Sequence, residues 1–164
     1  MSTYITNING QNHEAEGVET GGAGQEHKIV QTGADGRLNE TLMPVGIGAD
    51  VATAPAAETL TAGNLVAIDE NGEVVRASAD VGGKDAMAFV KASYAAAETA
   101  MAYFDGQVTG LTGLTPGARY YLSETPGQVT DTPVVGSGKR LQFVGRAVSA
   151  SVLEFSPDDS IVRV

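Results

Sequence analysis

Two twenty-residue stretches of this chain carry one pattern. "LTAGNLVAIDENGEVVRASA" spans 60–79 and "LTPGARYYLSETPGQVTDTP" spans 114–133, an offset of 54. On that offset Leu60-Thr61-Ala62-Gly63 falls on Leu114-Thr115-Pro116-Gly117, "LVAID" falls on "RYYLS", and Glu70 falls on Glu124. Further along, Gly83-Lys84 lies near Gly138-Lys139, and "AFVKAS" is similar to "QFVGRAVS" with one extra glycine. Each copy reads turn, strand, tight turn, strand, Gly-Lys loop, strand. A lone hairpin is marginal in water, whereas two such units can bury one face against the other. The repeat predicts a pseudo-symmetric β body with halves at about 60–105 and 114–164. It is no solenoid, which needs three or more units. Chance likeness between β-rich segments is the alternative to duplication.

The runs between turn signals are short and rich in β-branched and aromatic residues. "NLVAID" (64–69) and "EVVRAS" (73–78) flank Glu70-Asn71-Gly72, and Asn-Gly between such runs is a hairpin signal. "AMAFVKAS" (86–93), "TAMAYF" (99–104), "ARYYLS" (118–123) and "GQVTDT" (127–132) continue the series. "RLQFVGRAVSA" (140–150) is the longest run, with Leu141 and Phe143 alternating against Gln142 and Val144. "SVLEFS" (151–156) and "SIVRV" (160–164) end the chain. "SYAAAETAM" (93–101) is ambiguous, since Ala and Glu favour helix. The expected fold is all-β: a small β-sandwich or barrel of short strands with an internal pseudo-repeat, preceded by an extended N-terminal arm.

Charge and composition divide the chain. Residues 1–63 hold two basic and eight acidic side chains, and residues 64–164 hold eight and twelve. "EAEGVETGGAGQEH" (14–27) has one sizeable hydrophobe, Val18, too little apolar surface to offset its ordering entropy. "VATAPAAETLTAG" (51–63) reads as a linker. The expected organisation is therefore an arm and linker over 1–59 and a β-rich domain over 60–164. Within the arm, Ile29, Val30, Leu38, Leu42 and Met43, followed by Val45 and Ile47, are scattered anchors. "LNETLM" could make one helical turn ended by Pro44. Such an arm orders either on another surface or back on its own domain.

The same numbers narrow the function. A net charge of −10 argues against a nucleic-acid backbone as partner. No cysteine is present, which removes disulfides and thiolate chemistry. The N-terminus shows no signal peptide and no apolar run long enough to span a membrane.

The candidate chemistry mostly dissolves on inspection. His13 and His27 are the only histidines, and without Cys or a fixed frame they make a poor zinc site. "GSGK" (136–139) lacks the spacing of a phosphate loop and precedes a strand. Asp69-Glu70-Asn71-Gly72 lacks the downstream Glu of a calcium loop. Tyr94, Tyr103, Tyr120 and Tyr121 could form a sugar platform. Consecutive Tyr120 and Tyr121 point to opposite faces of a strand, however, so at most one faces outward, and an intersubunit contact is its expected use. The expectation is a non-enzyme with no metal and no cofactor.

"LTAGNLVAIDENGEVVRASADVGGKDAMAFVKAS", followed by "GLTPGARYYLSETPGQVTDTPVVGSGKRLQFVGRAVSASVLEF", resembles small structural proteins of tailed bacteriophages. These are capsid decoration, cement or head fibre proteins, in which Gly-x-x-Tyr-Tyr-Leu and Val-Gly-Arg-Ala-Val-Ser recur. "KIVQTGADGRLNETLMP" is similar to a passage that precedes such domains. The resemblance covers about 28–50 and 60–156 and carries no catalytic residue. It implies an all-β body, made in the host bacterial cytoplasm and assembled as a homotrimer on the outer head surface of the virion. The implied partners are the major capsid protein and the chain itself, with no nucleic acid and no membrane. Ile29, Val30, Leu38, Leu42 and Met43 would meet the shell or a neighbouring arm. The same frame occurs in tail fibre segments, so the alternative is a tail or head fibre segment that grips a host cell-surface glycan.

Overall fold

A computed structural model describes residues 3–21, 28–34, 36–39, 42–43 and 50–164. The chain divides into two units, Met1–Gly48 and Ala49–Val164. In the first, β1 (Thr3–Ile8) pairs antiparallel with β2 (Gln11–Glu16). Asn9 and Gly10 close the hairpin at φ 54° and 82°, the backbone that a two-residue turn of this kind needs. The expected extended arm thus opens with a hairpin. Beyond it, a parallel bridge joins Val18 to Val30. None of the described side chains of this unit is buried. Pro44, Val45, Ile47 and His27 lie outside the described residues.

The second unit repeats one sheet twice. Its first sheet contains β3 (Val51–Pro55), β4 (Leu65–Ile68), β5 (Val74–Arg76), β6 (Ala88–Val90) and β7 (Thr99–Tyr103), in the order β3-β7-β6-β4-β5. Then come β8 (Gly106–Thr109), β9 (Arg119–Leu122), β10 (Val129–Thr130), β11 (Arg140–Leu141), β12 (Phe143–Ala147), β13 (Val152–Phe155) and β14 (Ile161–Val162). The second sheet runs β8-β13-β12-β9-β10, and β11 pairs with β14 apart from it. Strand for strand, β3, β7, β6, β4 and β5 correspond to β8, β13, β12, β9 and β10. All the pairings between these strands are antiparallel.

Registers match as well as order. Ala54 faces Ala100 as Val108 faces Leu153, and Ile68 faces Val74 as Leu122 faces Val129. The repeating unit therefore starts earlier than the sequence pattern shows, at β3 and β8. Residues 51–55, expected as linker, form an edge strand with five registered pairs to β7. Residues 93–101, ambiguous in sequence, hold no helix, and their last three residues belong to β7.

The shared turns have one geometry. Asn64 N donates to Thr61 O at 2.9 Å and Ala118 N to Thr115 O at 3.0 Å. Gly63 and Gly117 take the third place of these turns at φ 86° and 81°, as type II turns require, with Ala62 or Pro116 before them. The Gly-Lys loops match too: Lys84 Nζ pairs with Glu70 at 3.0 Å, and Lys139 Nζ with Glu124, the equivalent glutamate. The extra glycine in "FVGRAVS" is Gly145, where the β12–β9 register breaks. A Cβ there would stand 2.0 Å from Glu154 O, so this bulge tolerates glycine alone.

Packing shows why two halves are needed. The first sheet turns Val66, Val74, Ala88, Val90, Ala100 and Ala102 to one face, with Leu60 and Ala56. This small-residue interior lets the sheet curl tightly. The chain leaving β3 reaches the opposite edge, where Ala56 forms a parallel bridge with Val74. The second sheet puts larger residues at equivalent places: Tyr120 for Val66, Leu153 for Ala100 and Phe155 for Ala102. Its inner face takes up the other side of the first sheet, including Leu65 and Phe89. Phe89 meets Phe155 edge-on at 5.4 Å and stacks on Tyr103 at 5.7 Å. Burying each such side chain stabilises by about 1.5–3 kcal/mol. The result is a two-sheet sandwich whose first sheet is covered on both faces.

Candidate functional site

Three surfaces merit description, and the first lies in the N-terminal unit. Val18 N donates to Ile29 O at 2.9 Å and Gln31 N to Val18 O at 2.8 Å. Ile29 N also reaches Tyr4 Oη at 3.3 Å. This backbone arrangement leaves Ile29 53% and Val30 46% exposed, beside Leu38 at 48% and Met43 at 44%. Leu42 is half-buried, and its N donates to Asn39 O at 3.0 Å. Four of the five anchors expected from the sequence thus lie open in one short unit.

The second surface is the outer face of the second sheet. Tyr120 and Tyr121 divide as strand geometry demands. Tyr120 is 5% exposed, and its Oη accepts from Thr115 N at 2.9 Å. Its ring is core and its hydroxyl ties the Thr115 turn, so it offers no surface to a neighbouring subunit. Tyr121 faces outward, half-buried, edge-on to Phe143 at 6.1 Å. The Arg119 guanidinium lies 4.5 Å from the Phe143 ring centroid, a cation–π contact. Arg119 and Phe143 did not stand out in sequence, because their partnership depends on the β9–β12 register.

The third surface is a cleft of about 490 Å³. One wall is Gly110–Leu114, the other is Gln128–Asp131, and the Thr61–Asn64 turn of the first half closes one side. Leu111 and Val129 supply apolar floor; Thr112, Thr130 and Asp131 supply polar atoms. Nothing in the sequence pattern alone announced it.

Electrostatics follow the turns. The Arg76 side chain, through its hydrogen bond to Glu58, holds the Glu58 carboxyl below the ordinary glutamate range and is itself raised by that contact. The backbone N–H of Glu73, followed by that of Asn71, lowers Asp69. Asp69 Oδ1 accepts both at 2.9 Å, so the acidic loop is a hairpin cap, as its sequence suggested. Among the described residues no group of three or more His, Cys, Asp or Glu is placed to hold a metal ion, and no helix is long and apolar enough to cross a membrane. Neither protein-family models nor curated proteins match this chain.

Proposed function

We propose that this chain is a structural virion protein of a tailed bacteriophage. It would bind the outer capsid surface through its N-terminal unit and stabilise the head, with no catalytic step of its own. The observation that carries this reading is the exposure of Ile29, Val30, Leu38 and Met43 in a unit none of whose described side chains is buried. Such residues gain most by docking elsewhere. Its support from sequence is the resemblance of residues 28–50 and 60–156 to capsid decoration proteins.

Stabilisation would arise by linkage. A protein bound across the junction of capsomers adds contacts to the closed shell and none to the separated one. In a homotrimer three arms bind together, so weak individual contacts become strong through effective concentration. Replacing Ile29, Leu38 and Met43 by Asp in the full chain should leave a folded protein that no longer decorates shells. Full occupancy by this triple variant would refute attachment through these residues. Retention of the purified protein on host cells or their glycans, and not on shells, would replace this reading with that of a receptor-binding fibre segment.

A further inference from the structure

The two halves differ in closure: the first is closed where the second is open. In the first half the segment after β3 runs across to β5. Ala57 N donates to Val74 O at 3.0 Å beside the Ala56–Val74 bridge. Glu58 then locks the closure: its carboxylate accepts from Arg76 N at 3.0 Å and Arg76 Nε at 2.9 Å. In the second half, register places Gly110, Leu111 and Thr112 where Ala56, Ala57 and Glu58 stand. It places Val129 and Asp131 where Val74 and Arg76 stand. Among the described residues no bridge or backbone hydrogen bond joins Gly110 or Leu111 to Val129. The 490 Å³ cleft lies in that gap. Both members of the lock are changed: threonine replaces the acid, and an acid replaces the base.

We propose that this cleft accepts an extended peptide segment of a partner protein that presents a Lys or Arg side chain to Asp131. The first half shows what fills such a gap, an extended strand running beside the edge strand. β10 is likewise an edge of its sheet, and an edge is a template for strand addition. Charge selects the guest. Arg76 receives a glutamate in the closed half, so Asp131 at the same place calls for a cation. Asp131 is exposed, takes a hydrogen bond from Thr132 Oγ1 at 3.1 Å, and forms no ion pair among the described residues. The half-buried Leu111 and Val129 give the guest's alternate side chains an apolar floor.

The probe is the chain's own closing strand, a peptide of residues 54–60 (APAAETL) carrying Glu58→Lys. Titrated into the ¹⁵N-labelled full chain, it should shift the amides of Gly110–Leu114 and Gln128–Asp131 and few others. The unmodified peptide should bind at least about tenfold more weakly, the range expected for one charge-assisted contact of about 1.4 kcal/mol. Asp131→Asn should weaken the lysine peptide, and Asp131→Arg should invert the preference. The double variant Thr112→Glu/Asp131→Arg rebuilds the lock of the first half. It should slow exchange of the Leu111 amide and abolish the response to either peptide. No shift at millimolar lysine peptide, or equal shifts in wild type and Asp131→Asn, would overturn the proposal. So would shifts of the same amides by a neutral oligosaccharide and by neither peptide.

Discussion

Gln142 and Ala86 join the two halves through a two-way amide pair. Ala86 N donates to Gln142 Oε1 at 2.7 Å, and Gln142 Nε2 donates back to Ala86 O at 2.9 Å. The same Nε2 reaches Asp158 O at 3.1 Å. Gln142 is 4% and Ala86 2% exposed, so both Ala86 backbone groups would lose their partner in a place that water does not reach. Leaving such groups unsatisfied costs about 1–3 kcal/mol each.

Gln142→Leu should therefore lower unfolding stability by about 2–4 kcal/mol. Urea denaturation measures this, with an unchanged m-value showing that the same surface is exposed on unfolding. A loss below about 0.5 kcal/mol, the range of ordinary surface substitutions, would mean that this pair does not hold the halves together.

Gly145 tests the bulge. Gly145→Ala places a Cβ 2.0 Å from Glu154 O, a backbone atom that cannot move away alone. The expected loss is about 3 kcal/mol or more. Gly117→Ala is the control: its φ is also positive, 81° against 155° at Gly145, with no atom within 4 Å of the added Cβ. It should cost only the left-handed backbone penalty of about 1–2 kcal/mol. Thermal melts of the two variants should be ordered accordingly. Equal melting temperatures would show that the contact with Glu154 is not the constraint.

Much of the body was legible because its turns are chemically explicit. Thr-x-Gly and Asn-Gly signals bracket runs of Val, Ile, Tyr and Phe, and these runs became β4, β5, β6, β9 and β12. The extra glycine in the second copy was visible as an insertion, and it is the bulge. Strands β3 and β8 were hidden by composition. "VATAP" sets Val51 and Thr53 among Ala and Pro, and "GQVT" opens on a glycine that reads as part of the preceding Asp-Gly turn. In β3 the core takes small side chains, with Ala54 packed on the cluster that holds Ala88, Ala100 and Ala102, so packing overrode propensity. The Asn9-Gly10 hairpin had a readable signal, which the expectation of an extended arm over 1–59 passed over. Gln142 sits at an inward position that alternation alone assigns to an apolar residue; its Ala86 partner comes from the other half, 56 residues away. The cleft is a difference between the two copies at Glu58/Thr112 and Arg76/Asp131, and it emerges only once strand order aligns them.

Glu58 gives the fold an acid-sensitive joint. Its carboxyl is held below the ordinary value by Arg76. A depressed folded value means that the stabilisation is present above the unfolded pKa of about 4.3 and is lost as pH falls through the folded value. Glu58→Gln removes that contribution. Both side chains are partly exposed, at 35% for Glu58 and 38% for Arg76, which screens the pair and limits the loss to about 1 kcal/mol near pH 7. The gap between wild type and variant should be constant from about pH 7 to 5 and close below about pH 4. A gap that persists at low pH would show that the Glu58 contribution is packing and not charge.

Truncation separates the boundary seen in the strands from that expected in sequence. Deleting residues 1–48 removes the first unit and leaves Asp50, whose carbonyl accepts from Phe104 N at 2.9 Å, together with all of β3. This variant should melt within about 3 °C of the full chain, a shift that corresponds to about 1 kcal/mol for a chain of this size. Deleting 1–59 also takes β3, the Ala56–Val74 closure and the Glu58–Arg76 lock. Ala100, Ala102 and Val90 then lose one wall of their core. The cost should reach several kcal/mol, a large part of the 5–15 kcal/mol that holds a typical domain. Circular dichroism melts of the two truncations decide the matter. Cooperative melting of both at similar temperatures would make 51–59 a linker after all, with the paired β3 contributing nothing to the fold.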